Sequence, residues 1–470
     1  MKYQLTESRK ISLISKKSKW AVFVNCVIYG AIIAVPLLML LLVYTNTFFK
    51  FPTAIFPEDV KQVLAYIGIF LTVSNLAYLI YMFFLIKCKY REVPTVADED
   101  LPSCAVIIPA YNEGKHVLSS LNSILEADYP PHKLEIIAVD DGSTDDTWEY
   151  IARAAAESNG RIKALKQPCN MGKRFAIQAG VNASNGDIIV TIDSDSIIFG
   201  DALKRLVSPF VKNAKVGCVA GNVRVLNLDE GILPKMLEVS FLFSFEFVRA
   251  AQSAFKGVFC APGALAAFRR SAVLSFIKEW AEEMFLGKPA NIGEDRALTG
   301  RILKNNYDVV FQKNAIVYTL VPTTYKGLCK MLIRWERSNV RENFLMIPFV
   351  FNRFAFNSFK FISIQITLFM QLLWSIIPLF TAFLYIYCMI ATLGYFFVIA
   401  SPMAVAFAVL PAILYYHRCK NINAFLAYIY SLFYFTVLFW ITPYSILSFH
   451  RSSWLTRGEK KQKLNNDGRV

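Results

Sequence analysis

The sequence predicts an α/β domain with a mostly parallel sheet, inserted between N- and C-terminal transmembrane helices. Three observations carry that expectation. The chain has 470 residues, 55% apolar and only 18% charged, too greasy for a wholly soluble protein and too charged for one made only of membrane spans. The charges are segregated, because residues 20–49, 62–86 and 361–417 contain no Asp, Glu, Lys or Arg. Between the second and third of these runs, short strand-like apolar stretches alternate with helical ones, as in βαβ units.

Taken in order, residues 1–20 form a basic segment, with Lys2, Arg9, Lys10, Lys16, Lys17 and Lys19 against Glu7 alone. Basic flanks beside lipid-length runs are the mark of cytoplasmic ends. Residues 21–86 are expected as a transmembrane hairpin, since each uncharged run exceeds the roughly 20 apolar residues that cross a bilayer as a helix. The first run is too long for the core of a signal peptide, and no small-residue cleavage site follows it. Lys87, Lys89 and Arg91 then return the chain to the cytoplasm. Residues 92–340 have the composition of a water-facing domain, with strands expected at Cys104–Pro109, Leu134–Val139, Ile162–Lys166 and Asp187–Ile192. Residues 341–360, aromatic and interrupted by Arg341, Arg353 and Lys360, suit an interfacial amphipathic region.

Residues 361–449 are expected to be a C-terminal membrane region, with room for two spans before His417 and one more after Lys420. Three spans would put the basic tail at 450–470 outside, against the charge rule. A re-entrant or interfacial segment, or a further crossing near 343–360, resolves the conflict. Disorder is excluded by 39 Phe, 22 Tyr and 7 Trp. The net charge of +15 sits largely beside apolar runs, so no nucleic-acid partner is expected. The nine cysteines form no Cys-x-x-Cys pair, which suits a reducing compartment, and four His argue against a histidine-based hydrolase or zinc site.

In parallel sheets ligands bind beyond the carboxyl ends of the strands, so the residues just after each strand matter most. The first strand runs into Pro109, Ala110, Tyr111, Asn112 and Glu113, a ring and a carboxylate able to meet a flat base, or simply a Pro-ended strand before a helix. The second ends in Asp140-Asp141-Gly142, which is also an ordinary Asp-Gly turn. Asn170-Met171-Gly172-Lys173-Arg174 precedes a helix, where backbone N–H groups and Lys173 could face a diphosphate or solvent. The fourth strand ends in Asp193-Ser194-Asp195, alternate carboxylates suited to sharing a hard divalent cation with substrate phosphates. Gly293-Glu294-Asp295-Arg296 begins a helical run; its acids suit a helix N-terminus, and a carboxylate there could act as general base. Arg334-Trp335-Glu336-Arg337 could hold phosphate and stack under a sugar, or anchor the chain at an interface.

In this order the motifs resemble the membrane-embedded, processive glycosyltransferases of family 2: hyaluronan synthases, chitin and chitooligosaccharide synthases and, more distantly, cellulose synthases. The resemblance spans about residues 104–343 and continues at Ser453-Trp454-Leu455-Thr456-Arg457, which is similar to the Trp-Gly-Thr-Arg segment of hyaluronan synthases. It implies a GT-A-like nucleotide-sugar-binding domain. Pro109, Tyr111, Glu113 and Asp141 would then hold the uracil end of a UDP-sugar, and Lys173, Asp193 and Arg334 the rest of the donor. Asp195 would be the direct ligand of Mn2+ or Mg2+. Asp295 would be the general base that deprotonates an acceptor hydroxyl for inverting displacement. Cys260, Gly263, Glu294, Arg296 and Trp335 would meet the acceptor terminus. The chain departs from the family's pattern at Met331, where the motif has Gln, and at Leu455, where hyaluronan synthases have Gly.

The resemblance implies a multi-pass plasma-membrane enzyme with a cytoplasmic catalytic domain. It would polymerise a β-linked polysaccharide from UDP-GlcNAc, alone or alternating with UDP-glucuronate, and extrude the growing acceptor through its own helices among membrane lipids. The alternative within the same chemistry is a non-processive transferase adding a sugar to a lipid-linked acceptor.

Overall fold

The computed structural model describes residues 19–44, 58–352, 358–391 and 393–451. The resemblance at 453–457 and most of both basic termini lie outside the described residues. The chain divides into two compact units, one of Arg91–Asn222, Gln252–Ile376 and Ile441–Val470, the other of Met1–Tyr90, Val223–Ala251 and Ile377–Trp440.

The first of these is built on an eight-stranded sheet. Its strands are β1 (Cys104–Ala110), β2 (Leu134–Asp140), β3 (Ile162–Lys166), β4 (Ile188–Thr191), β5 (Ser196–Ile198), β6 (Val216–Val225), β7 (Ala266–Arg269) and β10 (Asp308–Thr319). A separate small hairpin joins β8 (Met284–Phe285) to β9 (Lys288–Pro289). The sheet order is β3-β2-β1-β4-β7-β6-β10-β5. β1 pairs in parallel with β2 and β4, and β2 with β3, whereas β7 runs antiparallel to both β4 and β6. The four strands expected from sequence are the parallel ones. Every residue of β1 is buried, as a central parallel strand covered on both faces requires, which is why it reads as one apolar run.

Register decides where the site forms. Ala110 lies opposite Asp140, Asp140 opposite Lys166, and Ile107 opposite Thr191. The carboxyl ends of β1, β2, β3 and β4 therefore finish along one edge. Tyr111, Asp141 and Asp193 each leave the sheet there. The helices Lys173–Ala183 and Glu294–Lys304 and the long helix Tyr325–Asn352 belong to the same unit.

The other unit holds the helices Lys19–Tyr44 and Glu58–Cys88, and a core that includes Ile32, Val239, Leu242, Ala412 and Tyr416. Within it, Arg224 pairs with the buried Glu238. Among the described residues, Phe359–Tyr387 and Ala400–Cys419 are long and apolar enough to cross a membrane. The helix pair Ile422–Thr436 and Ile441–Leu447 adds a third span only as a broken or re-entrant segment. Shorter apolar helical stretches run Phe23–Leu38 and Val73–Cys88. Phe380 and Phe383 on the helix Phe359–Ala391 are 71% and 74% exposed, far beyond what an apolar side chain facing water in a folded core helix would tolerate in such number.

Candidate active site

The first part of the site is a pair of turns stitched together. Asn112 follows β1 with φ +53°, a left-handed conformation that asparagine tolerates better than most residues. Its N–H donates to Ser143 Oγ at 3.0 Å, and its side-chain oxygen accepts from the Thr144 N–H at 2.8 Å. The N–H groups of Glu113 and Gly114 donate to Thr147 Oγ1 at 2.9 and 2.8 Å. Tyr111 and Glu113, both half-buried, thus share one rim with the Asp141 turn. Gly142 between the turns has φ +67°, and a Cβ there would lie 2.3 Å from the Cys169 carbonyl carbon, so only glycine fits.

Asp141 is 4% exposed and accepts the N–H of Met171 at 2.9 Å and that of Gly172 at 3.0 Å. The carboxylate expected at the uracil end is therefore also the clamp for the turn that starts the helix Lys173–Ala183. That helix aims Lys173 inward. Its ammonium bridges Asp193 Oδ1 at 2.5 Å and Glu294 Oε1 at 2.8 Å. Gly263 completes the contact, because a Cβ there would lie 2.9 Å from Lys173 Nζ and 3.4 Å from Asp193 Oδ1. Four residues distant in sequence, expected partly with the donor and partly with the acceptor, meet at one point.

Electrostatics at this point is strongly biased. Burial opposes the Lys173 charge, but Asp193 and Glu294 outweigh it and hold the proton above a lysine's ordinary range. Burial likewise works against ionised Glu294, yet Lys173 and Arg334 keep it charged and bring its pKa down to about 2. Asp295 moves the other way: burial and the neighbouring Glu294 charge raise it, against the pull of Lys173, the Arg296 N–H and Arg334. A carboxylate poised above its usual range is what proton abstraction near neutral pH requires.

Asp295 sits in the first turn of the helix Glu294–Lys304, accepting the Arg296 N–H at 2.8 Å. The Cys260 thiol lies 3.5 Å from its other oxygen. Ala261 N–H donates to Thr299 Oγ1 at 3.0 Å, and that hydroxyl donates to the Asp295 carbonyl at 2.7 Å, which ties the segment after Cys260 to the helix. A small cleft reaches these groups; Pro109, Lys173, Gly263, Glu294 and Asp295 line it, with Trp280 as one wall.

Arg296 is not part of this convergence. Its guanidinium turns to Asn343 Oδ1 and Gln371 Oε1, each at 3.3 Å. Trp335 is half-buried on the helix Tyr325–Asn352, one residue past Arg334. Met331 on the same helix is 5% exposed, so the thioether that replaces the motif Gln is packed away from water. Asp195 is half-buried and shares its Oδ1 with Thr319 Oγ1 and Ser196 Oγ, each at 3.3 Å. No group of three or more His, Cys, Asp or Glu side chains gathers at metal-binding distance among the described residues. Sequence marks Arg174 only as a cation at a helix start, Arg341 only as a residue of the expected interfacial region and Trp280 not at all; all three are buried, Arg341 at 2% exposure. Arg341 donates to the Ile292 carbonyl just before the Asp295 turn, and no local pattern marks that contact.

The family profile described as "Glycosyl transferase family 2" matches residues 105–275. An N-acetylglucosaminyltransferase of Rhizobium meliloti (strain 1021) is 35% identical over 291 residues, covering 59% of this chain and 68% of the relative. The chain belongs to glycosyl transferase family 2. It is a sugar-transferring enzyme, a hexosyltransferase. An N-acetylglucosaminyltransferase of Rhizobium leguminosarum bv. viciae is 35% identical over 249 residues, 53% of this chain and 58% of that protein. Among solved structures, a mannosyltransferase from Pyrobaculum calidifontis in complex with GDP-Man and Mn2+ superposes with a TM-score of 0.52 at 18% identity, over 84% of this family 2 chain and 97% of the other. That likeness establishes the GT-A-like fold.

Proposed function

We propose that this chain transfers N-acetylglucosamine from UDP-GlcNAc to the non-reducing end of a growing β-linked saccharide, with inversion and with a divalent cation. The observation that carries the reading is the Lys173 bridge between Asp193 and Glu294, adjoining an Asp295 whose pKa is raised. Asp295 would take the proton of the acceptor hydroxyl. The freed oxygen would attack the anomeric carbon as the bond to the UDP oxygen breaks on the opposite face, which inverts the centre. Lys173 and Arg334 would face the charge that grows on the departing diphosphate. Tyr111, Glu113 and Asp141 would hold the uracil end, and Cys260, Gly263 and Trp335 the acceptor.

The donor set fits a hard cation. Asp195 and Asp193 offer only oxygen, with the Thr319 and Ser196 hydroxyls beside Asp195, and substrate phosphates commonly complete such a shell for Mg2+ or Mn2+. Lys173 already pairs with Asp193, so Asp195 would be the direct ligand. When bound, the ion supplies positive charge against the leaving group. The name shared by the relatives favours N-acetylglucosamine over alternation with glucuronate.

In this reading residues 92–340 work at the cytoplasmic face, residues 21–86 and 361–449 lie in the plasma membrane, and 341–360 in its interface. The product passes outward through the enzyme's own helices, since a polyhydroxylated chain cannot cross lipid unaided. Met331 supports a second reading, a single transfer to a lipid-linked acceptor, because the motif's hydrogen-bonding side chain is missing there. Product length separates the two. Purified full-length protein given radiolabelled UDP-GlcNAc and Mn2+ should yield an N-acetylglucosamine polymer, whereas addition of one residue to a lipid acceptor supports the second reading. Asp295→Asn should abolish transfer by either route while leaving UDP binding intact; undiminished transfer would remove Asp295 as the base.

A further inference from the structure

The segment Phe276–Glu283 has no part in the assignments above, yet it touches both halves of the charged cluster. Trp280, on the short helix Ile277–Ala281, is fully buried, and its ring walls the cleft that holds Lys173 and Asp295. Its indole N–H donates to the Glu294 carbonyl at 3.3 Å, in the turn that carries Asp295. Against the ring lies the Arg174 guanidinium, 5.2 Å from the ring centre, on the residue next to Lys173. Arg174 Nη1 also donates to the Trp280 carbonyl and to Glu283 Oε2, each at 2.7 Å. Glu283 then reaches Arg301 at 3.1 Å, on the last turn of the Asp295 helix.

We infer that Trp280 is a positioning residue for the transfer step, setting the Asp295 turn through the Glu294 carbonyl and the start of the Lys173 helix through Arg174. This rests on Asp295 being the base and adds what aims it. The chemistry favours such a fixture. Lys173 and Glu294 attract one another across the cleft, and a flexible turn would let Asp295 swing with Glu294. A buried indole is a stiff spacer with one donor, and that donor holds the peptide between the two carboxylates. Misplacement of a base by a fraction of an ångström weakens proton transfer without weakening donor binding.

The test is Trp280→Phe in the full-length protein, which keeps an aromatic ring beside Arg174 and removes the indole N–H together with part of the bicyclic ring. With UDP-GlcNAc and Mn2+, kcat should fall about fivefold, the scale of one lost hydrogen bond, while KM for the donor and the affinity for UDP stay unchanged. Intact UDP binding certifies the fold of the variant. An unaltered kcat would overturn the inference, and so would a loss of UDP affinity and thermal midpoint in step with kcat, the signature of a purely structural tryptophan. Asp295→Asn run beside it tells the two claims apart. If that variant is dead and Trp280→Phe behaves as wild type, only the positioning role fails; if Asp295→Asn still transfers sugar, the base and its positioning residue fail together.

Discussion

At Lys173 two carboxylates lie within ion-pair distance of one ammonium, and the side chains of Lys173 and Glu294 are only 10% and 5% exposed. Screening by water is weak at such depth, so each charge depends on its partners. The consequence for chemistry falls on Asp295, which stands beside Glu294 and is raised by that charge and by its own burial. The base works only when ionised. The acid limb of kcat/KM should therefore lie above the usual aspartate range near about 4, with rate lost as pH falls through it. Glu294→Gln removes the neighbouring negative charge and should move that limb to lower pH, read from pH–rate profiles; a limb that moves upward would contradict the electrostatic account. Sequence spacing marked Glu294 and Asp295 together but could not tell which of them pairs with Lys173. That choice depends on which oxygen faces a helix start more than a hundred residues away.

The element that presents the base is the helix Glu294–Lys304, and its first turn is fixed from outside. Gly293 precedes it with φ +69°, where a Cβ would lie 1.9 Å from Ser338 Oγ and 3.2 Å from Arg341 Nη2. Gly293→Ala should cost at least about 2 kcal/mol, from the left-handed backbone and the clash together, measured as a lowered thermal midpoint in detergent; unchanged stability would mean that the helix Tyr325–Asn352 does not press on this turn. The four parallel strands and the acids after them were legible in sequence, because buried parallel strands are continuous apolar runs and their ends are where a sheet meets ligand. The resemblance places Arg296 with the acceptor residues by its position in the motif. A helix turns about 100° per residue, and that rotation carries its side chain to Asn343 and Gln371 instead. Trp280 left no trace in the local pattern and Arg174 showed only as a cation at a helix start, since a buried aromatic and an arginine look like core and surface until a third segment joins them.

For the whole molecule, the exposed apolar side chains are the main physical fact outside the charged cluster. Ile390 is 82% exposed and Phe70 is 60% exposed, on helices from opposite ends of the sequence. Water would penalise each such surface, and lipid would not. The full-length chain should sediment with membranes and resist carbonate extraction; recovery in the soluble fraction would overturn the membrane assignment. Among the C-terminal runs, Ile422–Thr436 and Ile441–Leu447 form a broken pair, either one interrupted span or a re-entrant segment. Hydropathy alone counts such a pair as a span, because composition does not record a break in the helix.

The sequence by itself determined the α/β class, the parallel strands, the apolar flanks and the identity of the acids at the strand ends, since each follows from periodicity and local chemistry. Tertiary structure alone decided that Lys173, Asp193, Gly263 and Glu294 share one contact, that Asp295 is raised while Glu294 is lowered, and that Trp280 spans both sides of the cleft. Charge coupling falls off over a few ångströms in space and is blind to distance along the chain, so only the folded register of strands and helices could set it.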